Sequence, residues 1–144
     1  MSERSASVLW TGAGRSGSGT ISTESGALMD YPYDVESRFA GDHRGTNPEE
    51  ILGAAHAACF TMAFALACAR AGFETRTADT QARVRLVVAG DGYVIDRITL
   101  RLRADVPGLD DAGLQAIAAA ARRDCPMSRA LAGVADITLE ASRA

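Results

Sequence analysis

GTNPEEILGAAHAACFTMAFALACAR, residues 45–70, decides the fold. Asn47 is a favoured helix N-cap, Pro48 suits the first helical position, and Glu50, three residues after Asn47, can complete a capping box. The spacing predicts one helix from Pro48 to about Arg70, stopped at Gly72. Ile51, Leu52, Ala55, Ala58, Cys59, Met62 and Leu66 follow helical spacing along one broad face, and Phe60 and Phe64 add apolar bulk on other faces. Polar residues are so sparse that burial on most sides is expected. The run from Ile51 to Ala69 approaches the length of a membrane span. Its small residues, with His56 and Thr61, read instead as a buried core helix and no membrane. A central helix in an alanine-rich chain of 144 residues leaves a thin core, which points to a second copy and a homodimer.

Outward from this helix, short strands come first. ASVLWTG (6–12) reads as a strand, GAGRSGSG (12–19) as a glycine-rich hairpin turn or mobile loop, and TISTES (20–25) as the returning strand. GALMDYPYD (26–34) reads as irregular, with Pro32 limiting regular structure. VESRF (35–39) reads as a third strand, with Val35, Ser37 and Phe39 on one face and Glu36 and Arg38 on the other. After the helix, 80–90 and 93–106 alternate as two long strands joined at Gly90-Asp91-Gly92. One face is apolar and the other rich in arginine, as in an antiparallel sheet packed on a helix. A second helix is expected over 109–124, with Leu114, Ile117, Ala118 and Ala121 on its stripe. A short helix follows, opened by Pro126 and closed by Gly133, and a final strand covers 135–142. The length suggests a single domain, 1–144.

Apolar residues make up 47% of the chain, and 15 basic against 18 acidic residues give a net charge of −3. The charges are mixed, with no basic stripe of the kind nucleic-acid binding needs. MSERSASVLW (1–10) does not read as a basic, then apolar, leader, so a cytoplasmic location is expected. Cys59, Cys68 and Cys125 cannot form an even disulfide framework. In a reducing compartment such cysteines are more often buried, metal-bound or catalytic.

Cys125 precedes Pro126 and therefore sits near the start of the short helix, where unpaired amides favour a thiolate. Arg122, Arg123 and Arg129 add positive charge along the chain, although a cysteine here can also merely cap. Cys59 lies about three turns into its helix, too far from the terminus to be activated by it, and needs a cation from elsewhere. His56, three residues earlier, shares its face, as an acid–base partner or as a core histidine. With two histidines and no close cysteine pair, a zinc set would need distant ligands, so no metal and no cofactor are expected. Cys68, nine residues after Cys59, falls on the opposite helix face and reads as a small hydrophobe. The glycine-rich 12–19 segment lacks the Lys-Ser/Thr ending of a phosphate loop, and no nucleophile elbow or dinucleotide fingerprint appears.

RFAGDHRGTNPEEILGAAHAACFTMA (38–63), followed by DCPMSRAL (124–131), closely resembles the OsmC/Ohr family of osmotically inducible and organic hydroperoxide resistance proteins. The resemblance extends through WTGAGRSGSGTISTESG (10–26) and the final strand, and its NPEEILGAAHAACF form is closer to the OsmC branch. It implies an α+β fold, an intertwined homodimer with antiparallel sheets wrapped around central helices, and active sites at the subunit interface. It also implies a role in osmotic and oxidative stress, through thiol-dependent reduction of organic hydroperoxides, with hydrogen peroxide as a further candidate. By motif position Cys59 resembles the peroxidatic and Cys125 the resolving cysteine, joined in a redox-active disulfide. Glu49 matches the family glutamate, and Arg38 the supporting arginine, with Arg15 as the alternative.

An ideal helix separates Glu49 from Cys59 by about 15 Å along its axis and roughly 80° around it. The glutamate must then act through the arginine, through a bend, or across subunits. The resemblance further implies a dithiol reductant of the dihydrolipoyl type, such as a lipoyl protein. Phe39, Phe60, Met62 and Met127 are candidates for an organic hydroperoxide pocket, each equally suited to ordinary packing. The rival reading is a non-catalytic dimeric module that binds apolar ligands and uses its cysteines only for packing.

Overall fold

The computed structural model describes residues 1–40 and 44–144, so Gly41, Asp42 and His43 of the RFAGDHRGTNPEE stretch lie outside the described residues. The chain forms two compact units, Met1–Ile51 and Leu52–Ala144.

In the first unit, β1 (Ala6–Thr11), β2 (Ser18–Thr23) and β3 (Tyr31–Asp34) form an antiparallel sheet in that order. The glycine-rich turn between β1 and β2 folds into one 3-10 turn, Gly14–Ser16. β3 occupies part of the segment expected to be irregular. Pro32 lies in it opposite Thr20, on the outermost strand of the sheet, where a missing N–H is tolerated. Gly17 and Gly19 leave room for the Trp10 and Tyr33 rings, whose centroids are 5.5 Å apart.

The expected strand over 35–39 is instead a short helix, α1 (Val35–Phe39). The cause is local. Asp34 takes the Ser37 amide at 2.7 Å while the Ser37 hydroxyl takes the Asp34 amide at 2.9 Å, a reciprocal capping box. Two satisfied amides outweigh an alternation only five residues long.

The long helix, α2 (Pro48–Arg70), has the predicted span. Asn47 accepts the Glu50 amide at 2.8 Å, and the Glu50 carboxylate meets the Thr46 hydroxyl and the Asn47 side-chain amide. The helix ends where Phe73 N–H reaches back to the Cys68 carbonyl at 2.9 Å and Gly72 takes a φ of +84°, a glycine-closed C-terminus.

In the second unit, β4 (Thr77–Ala89) and β5 (Gly92–Asp105) are an antiparallel hairpin. α3 (Asp111–Asp124) and α4 (Pro126–Ala130) follow, then β6 (Asp136–Arg143). β6 pairs with β5 in parallel, a departure from the all-antiparallel expectation. The reason is the connection: two helices carry the chain back, and a helical crossover delivers a parallel strand where a tight turn cannot. Leu100, Leu102 and Ala104 of β5 share a core with Phe60, Phe64 and Cys68 of α2 and Leu114, Ala118 and Ala121 of α3.

Burial of α2 on most sides does not hold within one chain. Its buried residues are Gly53, His56, Phe60, Phe64 and Cys68, a single stripe. Met62 and Leu66, expected on the buried face, are 66% and 54% exposed. Wherever α2 packs against the β4–β6 sheet, the bulky phenylalanines fill the space, and the alanine-rich side is left outside. By length and composition α2 is also apolar enough to cross a membrane.

Candidate active site

Two helices meet at their sulfurs. Cys59 comes from the middle of α2, and Cys125 is the residue where α3 ends and α4 begins. Asp110 caps α3 by accepting the Gly113 amide at 2.8 Å, and Pro126 opens α4 immediately after Cys125. Cys125, held between the two helices in an extended conformation, is fully buried. Its Sγ donates to Cys59 Sγ at 3.2 Å, both cysteines being free thiols. A disulfide needs about 2.05 Å, so joining them would take a small movement together with a two-electron oxidation.

The same helices make a second contact one turn away. His56 Nε2 lies 2.8 Å from Ser128 Oγ. His56 is fully buried, and its Nδ1 has no hydrogen-bond partner among the described residues. Burial holds this imidazole below its ordinary value of 6.5 and keeps it neutral. Cys68 is also fully buried, within the core, as a packing cysteine should be.

The two thiols are shifted in opposite directions. Burial raises the Cys59 thiol. The Met127 amide works against this, and the hydrogen bond and charge of Cys125 add to the rise. Burial would raise Cys125 too, but the Ser128 amide, the Cys59 thiol, the Ser128 hydroxyl and the Met127 amide together hold it below its ordinary range. Cys125 makes no side-chain cap hydrogen bond to α4. None of the influences on Cys59 is a cation.

In the first unit, Arg38 grips Glu49 with both arms, Nε to Oε2 at 3.2 Å and Nη2 to Oε1 at 2.6 Å. Such a fork fixes the orientation of a guanidinium as well as its charge. Glu49 is only 12% exposed at its side chain, and the Arg38 guanidinium also lies 5.2 Å from the Phe39 ring centre. Arg15 stands in the 3-10 turn and is exposed. Of the apolar candidates, Phe60 is fully buried in the core, Met127 packs against it partly buried, and Phe39 and Met62 are exposed. The sequence-predicted residues thus assemble as two pairs, Cys59 with Cys125 and Arg38 with Glu49, one in each unit. Among the described residues, no group of three or more His, Cys, Asp or Glu could hold a metal ion. Ser128 was not among the sequence candidates: its partner lies 72 residues away, and a lone serine after Cys-Pro-Met carries no spacing signal.

The fold and the paired sulfurs define an α+β protein with a two-cysteine thiol centre. The family model of the OsmC-like proteins matches residues 41–140, and the chain belongs to that family. It is similar to the peroxiredoxin OsmC of Escherichia coli, 45% identical over 131 residues that cover 91% of this chain and 90% of the relative. It is 31% identical to the organic hydroperoxide resistance protein OhrA of Bacillus subtilis over 129 residues, 88% of each chain. The crystal structure of OhrB from Bacillus subtilis superposes with a TM-score of 0.75 at 31% identity, covering 96% of this chain and 98% of that one.

Proposed function

We propose that this chain is a cytoplasmic, thiol-dependent peroxidase that reduces organic hydroperoxides, and hydrogen peroxide as a further substrate, to alcohols or water. It acts as one functional domain, 1–144, in a homodimer free of membrane. The observation that carries the reading is the approach of Cys59 and Cys125 to 3.2 Å across 66 positions of sequence. The names of its peroxiredoxin and hydroperoxide-resistance relatives support the reaction class.

The Cys59 thiolate attacks the peroxide oxygen. The O–O bond breaks, the alkoxide leaves with a proton as alcohol, and Cys59 becomes a sulfenic acid. The Cys125 sulfur then displaces hydroxide from the sulfenic sulfur, water departs, and a Cys59–Cys125 disulfide forms. An external dithiol, of the lipoyl type in keeping with the family, returns both electrons by thiol–disulfide exchange. Cys59 is the half-buried member of the pair and Cys125 the fully buried one, which favours Cys59 as the sulfur that meets a peroxide. Arg38, oriented by Glu49, is assigned on family resemblance as the cation that holds Cys59 as thiolate, with Arg15 as the alternative.

Consumption of cumene hydroperoxide with a dithiol reductant tests this. The wild type is expected to turn over and Cys59→Ser to fall to background. Cys125→Ser is expected to undergo one oxidation event and then stall. Equal background loss in wild type and Cys59→Ser, with both proteins folded and reduced, would leave a ligand-binding dimer as the better account.

A further inference from the structure

α4 is a helix of five residues, none of them fully buried. Of its side chains Met127 packs against the core, partly buried. So short an element with so little burial lies at the low-stability end of a fold. Yet it follows directly on Cys125, whose sulfur has to meet Cys59. From the other side Cys125 is well held. α3 buries Leu114, Ala118 and Ala121, and the Cys125 amide donates to the Ala121 carbonyl at 2.9 Å. The α4 side needs a hold of its own.

The His56–Ser128 contact supplies it. His56 Nε2 and Ser128 Oγ lie 2.8 Å apart, the one hydrogen bond between side chains of α2 and α4 among the described residues. It stands one turn from the sulfurs. His56 comes three residues before Cys59 and Ser128 three after Cys125, the spacing that places side chains on one face. Either tautomer of a neutral imidazole makes the bond, donating to the hydroxyl oxygen or accepting from the hydroxyl. His56 is fully buried, and a buried polar group deprived of its partner is costly, so the bond is kept. All four residues belong to the second unit. The charged neighbours Arg123, Asp124 and Arg129 are exposed and offer no comparable hold.

We propose that His56 and Ser128 are positioning residues, whose hydrogen bond pins α4 to α2 and so keeps Cys125 Sγ within reach of Cys59 Sγ. The proposal rests on the peroxidase reading for its purpose and deepens it at the resolving step. There Cys125 Sγ attacks the sulfenic sulfur of Cys59, the S–O bond breaks, and the hydroxide leaves as water with the Cys125 proton. Holding the two groups together gives that step the high effective concentration of an intramolecular reaction. Its competitor is a second peroxide, which takes an unresolved sulfenic acid on to sulfinic acid. A pinned Cys125 therefore decides between recycling and loss of the enzyme. The coupling is reciprocal: what the pin adds to disulfide formation, the disulfide adds to the pin.

The main test needs no peroxide. The protein is equilibrated with oxidised and reduced dithiothreitol and quenched by alkylation, and the Cys59–Cys125 disulfide is measured by mass spectrometry, which keeps Cys68 out of the reading. Ser128→Ala is expected to lower the equilibrium constant for the disulfide about tenfold, a shift of about 30 mV. His56→Leu should lower it similarly, and the double variant no further than the larger single effect, since both remove one contact. Ser128→Thr, which keeps the hydroxyl, and His56→Gln, which keeps a nitrogen for the bond, should recover at least half of the loss on a logarithmic scale. A general loss of stability would not move this constant in protein that circular dichroism shows to be folded. With cumene hydroperoxide added, Ser128→Ala should carry a severalfold larger share of Cys59 as sulfinic acid than the wild type. An unmoved constant in folded Ser128→Ala overturns the proposal, as do additive losses in the double variant. Should His56→Leu fail to fold, Ser128→Ala against Ser128→Thr decides. Shifted constants in a protein without peroxide turnover would uphold the pin and strike at the peroxidase reading; turnover with unmoved constants would do the reverse.

Discussion

Among the described residues the buried His56 side chain makes a single hydrogen bond, to Ser128, and its burial makes it a reporter of acid. Its folded form is neutral and held below 6.5, while the unfolded chain takes up a proton as pH falls through about 6.5. Below that value the unfolded state binds more protons, so stability falls with acid; above it the contribution is flat and fully present. His56→Gln lacks this titration. The stability advantage of wild type over His56→Gln, from urea unfolding, is therefore expected to shrink between pH 7 and pH 5. A constant difference would mean that His56 is not neutral in the fold. At this scale the sequence was half legible. Cys125 was readable as a helix-start cysteine from Pro126, and Cys68 as core from its angle on the helix. The Cys59–Cys125 pairing came from family resemblance, because no spacing rule brings together residues 66 apart. Ser128 was invisible for the same reason, since contacts between elements leave no local signature.

Elements are decided by what a side chain meets. Gly53 lies on the buried stripe of α2, and a Cβ there would sit 3.5 Å from Val84 Cγ2 and 3.7 Å from Ala82 Cβ, ordinary contact distances. Gly53→Ala should thus gain helix propensity without a clash and raise stability by about 0.5–1 kcal/mol. At Gly17 the same methyl would lie 2.7 Å from Trp10 Nε1 and 2.8 Å from the Thr11 carbonyl. Gly17→Ala should destabilise by about 1–3 kcal/mol, as overpacking does. Urea midpoints of the two variants should move in opposite directions, and equal shifts would refute this account of the glycines. Legibility here followed the strength of the local signal. The Asn47-Pro48 start and Gly72 stop fixed α2, and the Gly90-Asp91 turn fixed the β4–β5 hairpin. Val35–Phe39 misled because alternation over five residues competes poorly with an Asp34–Ser37 capping box. The inward face of α2 was misjudged because apolar residues cover nearly its whole circumference. Only the shape of the sheet selects the stripe that holds Phe60 and Phe64.

For the whole molecule, the unanswered face of α2 is the main physical problem. Met62 and Leu66 are one turn apart and mostly exposed in the single chain, with Ala55 and Ala58 exposed along the same face. Within the first unit, separately, β1 exposes Val8 at 57% and Leu9 at 68%. Covering Met62 and Leu66 is worth about 1–2 kcal/mol per side chain, and the small Ala55 and Ala58 that precede them on that face permit close approach of another helix. A second copy presenting the same face satisfies both chains at once, since a two-fold interface is self-complementary. The wild type should therefore sediment at about twice 15.0 kDa. Met62→Glu/Leu66→Glu should sediment as a folded monomer, because the substitutions leave the Phe60–Phe64–Cys68 core untouched and place charges where burial would strip them of water. Far-ultraviolet circular dichroism should report unchanged helix in that variant. A double variant that stays dimeric would move the interface elsewhere. A wild type that stays in solution only with detergent would instead turn this face toward lipid, which the length and hydropathy of α2 permit.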